Sequence, residues 1–163
     1  MAEQGTAERM AAAMVSRDFD AIRPLLAAEV TLNSPITSSF AFQGPDEILE
    51  LLQVVCEAYE QLEYTDVFGS GDTWVQVFRV RVQGQEMEGL DLIRLDGEGR
   101  IREFTVFFRP LPGLAALTAA LAPPLAKRQS RGRGLAAKLL TGPLFPLTRL
   151  GDKLAARLVG RGR

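Results

Sequence analysis

The spacing of apolar residues changes near Tyr64, and that change limits the fold more than any other feature of the chain. Before it the spacing is helical. Ala7, Met10, Ala11 and Met14 recur at i, i+3, i+4, i+7, with Thr6 placed to cap the helix they define. Asp18 is positioned to cap a short second helix carrying Ile22, Leu25 and Leu26, in which Pro24 is tolerable only in the first turn. A short strand is expected over 30–33. Gly44-Pro45-Asp46-Glu47 then opens the longest predicted helix, with a proline suited to the first helical position and two acids complementing the helix dipole. Its buried stripe reads Ile48, Leu51, Leu52, Val55, Tyr59 and Leu62, beside Cys56.

After Tyr64 the period is two. Phe78, Val80 and Val82 fall on one face of a strand, and Val75, Val77, Arg79 and Arg81 on the other. Gln83-Gly84-Gln85 turns the chain into a strand over 87–95, and Asp96-Gly97-Glu98-Gly99 turns it into another over 101–109. In that last strand Phe104, Val106 and Phe108 oppose Ile101, Glu103, Thr105, Phe107 and Arg109. A short helix over 114–121 follows. Helices first and strands afterwards predict an α+β domain with helices on one side of a mostly antiparallel sheet. Apolar groups on both sheet faces imply that the outer face is covered or self-associates.

Composition removes several kinds of chemistry. None of the 163 residues is histidine, so Ser-His-Asp and Cys-His catalysis, imidazole metal sites and a histidine switch are excluded. The single cysteine, Cys56, sits in an apolar stripe and reads as a small buried hydrophobe. No metal or organic cofactor is expected. Residues 1–10 carry Glu3 and Glu8 and no apolar run, and no stretch approaches the roughly 18 apolar residues of a membrane span, so a cytoplasmic protein is expected.

Charge divides the chain. Residues 1–126 hold nine arginines and no lysine against 19 acids, a balance of −10, whereas 127–163 hold ten basic residues against Asp152 alone, a balance of +9. With Pro123-Pro124 read as a helix stop, the expected division is a domain over 1–123 and a basic extension over 124–163. Gly142-Pro143 and Pro146 split the extension into two predicted helices, 134–141 and 147–159. In the second, Leu147, Leu150, Leu154 and Leu158 form an apolar stripe, with Arg149, Lys153 and Arg157 toward the opposite side. Three fates are open to it: peripheral contact with an anionic membrane through 144–159, docking on the acidic body, or disorder. Phe145 is the extension's sole aromatic and the body is acidic, so no specific nucleic-acid partner is expected.

The order of elements, together with Asp18-Phe19-Asp20-Ala21-Ile22, Leu25-Leu26-Ala27-Ala28-Glu29-Val30, Asn33-Ser34-Pro35, Gln43-Gly44 and Asp96-Gly97-Glu98-Gly99-Arg100-Ile101, resembles the SnoaL-like branch of the nuclear transport factor 2-like superfamily over about residues 7 to 112. The resemblance implies a cone: a curved sheet wrapped around a long helix, with an internal pocket and commonly a homodimer through the outer sheet face. It does not imply one chemistry, since the superfamily includes ketosteroid isomerases, polyketide cyclases, epoxide hydrolases and noncatalytic modules. Carried over by residue, the isomerases' proton-shuttling aspartate falls on Ser34, their oxyanion-site tyrosine on Met10, and only their second oxyanion acid is kept, as Asp91. Steroid isomerisation by that mechanism is therefore not expected. The epoxide hydrolase pattern is incomplete, with Arg79 and Arg81 present but Val106 in place of its last aspartate. The late acid of the cyclases has only Glu103 as a counterpart, on the outer face by parity.

Asp91 is the most informative residue, because an acid among alternating apolar residues on a central strand is costly unless paired or protonated. One expectation is that it points into the cone and donates a hydrogen bond to a carbonyl. The other is a solvated or arginine-paired acid near the mouth. The expected ligand pocket comprises Met10, Ser34, Phe78, Val80, Phe104 and Val106 around Asp91, and the expected ligand is a small hydrophobic or carbonyl-bearing molecule. Two functions are open: a cofactor-independent isomerase, cyclase or lyase using Asp91 as catalytic acid or oxyanion donor, or a noncatalytic binding or assembly module.

Overall fold

The computed structural model describes residues 5–159; Glu3, Arg161 and Arg163 lie outside them. Helix α1 (Thr6–Ser16) is followed by α2 (Phe19–Ile22) and a 3-10 turn (Arg23–Leu25) that takes Pro24 into its tight geometry. Strand β1 (Leu26–Asn33), the two-residue β2 (Phe42–Gln43) and α3 (Gly44–Ala58) come next. Four strands complete the sheet: β3 (Gln61–Ser70), β4 (Thr73–Val82), β5 (Gln85–Leu95) and β6 (Ile101–Arg109). Helices α4 (Leu111–Gln129), α5 (Arg131–Thr141) and α6 (Leu144–Val159) end the chain. The strand order is β2-β1-β6-β5-β4-β3, antiparallel except where β1 lies parallel to β6. This curved, unclosed sheet with helices on its inner side is the expected α+β cone.

Local chemistry accounts for the element ends. The Asp18 carboxylate accepts from the Ala21 amide at 3.0 Å, as its capping position predicts. Thr6 does not cap α1. Its hydroxyl instead donates to the Gly99 carbonyl at 2.7 Å, tying the first helix to the turn before β6, and the N-cap is Gly5. Gln83 and Gly84 both have positive φ, the conformation that a two-residue hairpin between twisted strands requires.

Sheet parity holds through β4 and β5. Gln76, Phe78, Val80 and Val82 face inward, while the outer face carries cross-strand ion pairs between register partners: Arg79 with Glu88, Arg81 with Glu86, Arg94 with Glu103 and Arg109 with Glu88. Ile101 departs from its expected outer position. The register slips between Arg94 and Leu95, giving β6 one extra residue, and this returns Ile101 to the core at 0% exposure.

The long helix ends earlier than its apolar spacing predicts. Tyr59 has an extended backbone and caps α3, and Leu62 belongs to β3, a strand the period reading did not separate from the helix. The last body helix, conversely, is longer. α4 passes through Pro123 and Pro124 instead of stopping there, since a proline's fixed φ suits a helix and the loss is confined to the amide bonds toward Ala119 and Ala120. Leu125 beyond them packs on both core clusters, and Arg128 reaches Glu50 of α3 at 2.5 Å. The change of charge thus falls within a helix anchored at both ends. One core cluster gathers α1, β1 and α3; the second gathers β4, Met87 of β5 and the buried face of α4.

Candidate functional site

Between the two clusters lies a cavity of about 60 Å³, walled by Met14 of α1, Leu51, Leu52 and Val55 of α3, Leu117 and Leu121 of α4, and the inner face of the sheet. Register arranges that inner face in rows. Tyr64, Phe78, Gly89 and Phe108 lie side by side across β3 to β6, and the next row holds Val67, Gln76, Asp91 and Val106. Gly89 is what permits the first row. A Cβ there would lie 2.2 Å from the Phe78 ring and 2.8 Å from that of Phe108, two rings that meet edge to face with centroids 5.4 Å apart. Tyr64 packs on Phe78 at the same centroid distance.

Asp91 is 3% exposed and opens onto this cavity. Burial pushes its carboxyl well above the ordinary carboxylate range. Its register partner Gln76 is wholly buried; the amide nitrogen donates to the Ala7 carbonyl at 2.5 Å, while Oε1 has no hydrogen-bond partner among the described residues. Side chains of register partners emerge on the same face, so Asp91 stands beside an acceptor. A carboxylate there would meet a like dipole, whereas a carboxylic acid offers a proton.

Two tyrosines complete the polar lining. Tyr59 and Tyr64 line the cavity, and their phenols are pushed well above the usual tyrosine value, first by burial and then by the neighbouring negative charge of Asp91. Tyr59 is placed by its backbone. Its amide donates to the Val55 carbonyl, its carbonyl accepts from the Arg17 guanidinium at 3.2 Å, and the next amide, of Glu60, donates to the Arg81 carbonyl and so enters the sheet.

Of the residues expected at the pocket, the structure brings Ser34, Phe78, Asp91, Phe104 and Val106 to the cavity wall. Met10 and Val80 are not part of it. Met10 is buried in the first cluster one helical turn before Met14, which does reach the cavity, and Val80 lies one inward position beyond Phe78, in the cluster that packs around α4. Sequence reasoning missed Tyr59 and Tyr64 as site residues. Ser34 Oγ accepts from the Ile36 amide at 3.2 Å, so its oxygen is engaged in the local turn at the cavity edge. Among the described residues Asp91 is the one carboxylate in the wall. Glu103 is on the outer side, paired with Arg94.

A larger outer groove of about 630 Å³ runs along β1 and β6, and its arginines are committed, with Arg100 on Asp96 and Glu98 and Arg102 on Asp72. Burial pushes the Cys56 thiol up, consistent with a packing role. Among the described residues no group of three or more acids or cysteines is arranged to hold a metal ion, and no helix is long and apolar enough to cross a membrane.

The family model for the SnoaL-like domain matches residues 7–104. The chain belongs to that family. Solved structures share the fold of this SnoaL-like domain. A protein from Silicibacter pomeroyi DSS-3 with a cystatin-like fold is 28% identical with a TM-score of 0.70, covering 82% of this chain and 92% of its own. A steroid delta-isomerase from Pseudomonas aeruginosa is 29% identical with a TM-score of 0.69, covering 78% and 96%. An NTF2-like protein of unknown function from Cytophaga hutchinsonii ATCC 33406, at 19% identity and a TM-score of 0.54 over 69% and 97%, shares the fold. No protein of curated function matches this SnoaL-like sequence.

Proposed function

We propose that this SnoaL-like domain binds a small apolar molecule bearing a carbonyl oxygen, with protonated Asp91 as principal donor and the Tyr59 and Tyr64 hydroxyls beside it. The observation that carries the reading is a buried acid opening onto an apolar cavity that, among the described residues, no lysine or arginine lines. A neutral acid in such a place donates a strong hydrogen bond in a setting of low dielectric. The cavity is smaller than the roughly 150 Å³ that takes benzene, so a ligand of that size displaces wall side chains, and Leu117, Leu121 and the partly exposed Ile36 are the ones at its α4 and loop sides.

The similarity to a steroid delta-isomerase makes an enzyme of the same class the natural second reading, and the wall chemistry argues against it. Proton transfer between two carbons needs a base facing the oxyanion donors. The residue that the resemblance matches to the isomerases' base is Ser34, whose oxygen already accepts from the Ile36 amide, and among the described residues no second carboxylate lines the cavity. Binding without isomerisation is the function the residues support.

The test compares acetophenone with α-methylstyrene, in which a methylene replaces the oxygen, by titration calorimetry. The ketone is expected to bind about tenfold tighter, roughly one hydrogen bond's worth, and Asp91→Asn is expected to reduce that preference. Equal affinities would overturn the reading. The half-exposed rings of Phe68 and Phe107 on the outer face support a homodimer there, for which sedimentation velocity of the wild type and Phe107→Glu is the check.

A further inference from the structure

The extension shows its two sides in α6. Phe145 packs on the second core cluster. At about 100° per residue, Leu147, Leu150, Leu154 and Leu158 centre about 180° from Phe145, on the side turned away from the body. They are 64%, 57%, 47% and 85% exposed, and no residue of α6 is buried. Arg149, Lys153 and Arg157 form a row along one border of this leucine face. Leu135 and Leu139, one turn apart on α5, are likewise exposed.

We propose that the leucine face of α6 docks on an anionic lipid surface, with its arginine and lysine row at the level of the headgroups. An apolar face of four leucines bordered by cations fits an interface with acyl chains on one side and phosphates on the other. Charge selects this occupant over a second copy of the helix. α6 itself carries Arg149, Lys153 and Arg157 against Asp152 alone, a balance of 3 − 1 = +2, so two such helices repel, and 16 residues supply little more than two heptads of seam. The body does not receive this face, because the leucines lie on the side of α6 opposite Phe145, and the Phe145 side is the one that packs on the core.

Flotation of the full chain with phosphatidylcholine vesicles, with and without about 30 mol % phosphatidylserine, tests the proposal. Binding is expected only to the anionic vesicles, weakening about tenfold or more between low and high salt. Leu150→Asp with Leu154→Asp is expected to abolish it, and Arg149→Glu with Lys153→Glu to lower it at least tenfold; all four side chains lie outside the core, so circular dichroism should be unchanged. Absence of binding at low salt would overturn the proposal. So would binding that survives the leucine substitutions, which would assign it to charge alone, or a concentration-dependent oligomer lost in the leucine variant without any vesicle binding, which would assign the face to a second copy.

Discussion

Asp91 sets a stability that depends on pH in a definite direction. Its folded carboxyl keeps a proton that the unfolded chain releases near pH 4, so the stabilisation from the neutral acid is fully present below about pH 4 and is lost as pH rises through the raised folded value. Urea unfolding of wild type and Asp91→Asn at several pH values from about 4.5 to 8 is expected to show wild-type stability falling relative to the variant. Parallel curves would mean that the acid is not held neutral. Gly89→Ala is expected to cost about 1–3 kcal/mol, because a Cβ at 2.2 Å from the Phe78 ring forces the Phe78–Phe108 pair apart; thermal unfolding measures it. Asp91 was legible in the sequence since its neighbours alternate with it as apolar groups. Tyr59 was not, because it falls four residues after Val55 and continues a helical stripe, and no glycine or proline marks the break. What ends the helix there is tertiary: the Arg17 guanidinium on the Tyr59 carbonyl and the capture of Glu60 by β4. Met10 failed as a wall residue for a related reason, since spacing identifies the buried face of a helix but not which turn along it meets a void.

Elements were legible where their signals are local and misread where two signals compete. The Gly44-Pro45 start of α3 and the hairpin at Gln83-Gly84 follow from backbone chemistry alone. Ile101 follows from a bulge, which depends on the partner strand and leaves no mark in the alternation of β6. Pro123 and Pro124 are the sharpest conflict, local breakers inside a helix held from both ends by Leu125, Arg128 and the packing of Leu117 and Leu121. Replacing Pro124 by alanine is expected to restore an amide donor toward Ala120 and to stabilise the protein by about 1–3 kcal/mol, read as a higher midpoint in chemical denaturation. A lower midpoint would mean that the helix depends on the proline-shaped geometry. Leu117→Ala is expected to cost about 2–5 kcal/mol and to enlarge the Asp91 cavity, so the same variant should admit larger aryl ketones.

Across the whole molecule, burial divides the chain into parts of unequal stability. The central strands β4, β5 and β6 carry paired backbone on both edges and the inner core, whereas α6 has no buried residue and α5 only Gly134, against Pro123 and Lys127. Hydrogen exchange is therefore expected to be slowest in β5 and fastest in α5 and α6, with exchange in the two helices unaffected by Gly89→Ala. Uniform protection would indicate one cooperative unit reaching to the C-terminus. The parallel pairing of β1 with β6 has a consequence during synthesis. Thr31 meets Glu103, 72 positions later, so at about 5–20 residues per second the ribosome needs roughly 4–14 s after making the first strand to supply its neighbour. For that interval β1 has only the two-residue β2 beside it, and the nascent chain carries an open strand edge that a chaperone or a neighbouring polysome could bind before the sheet closes.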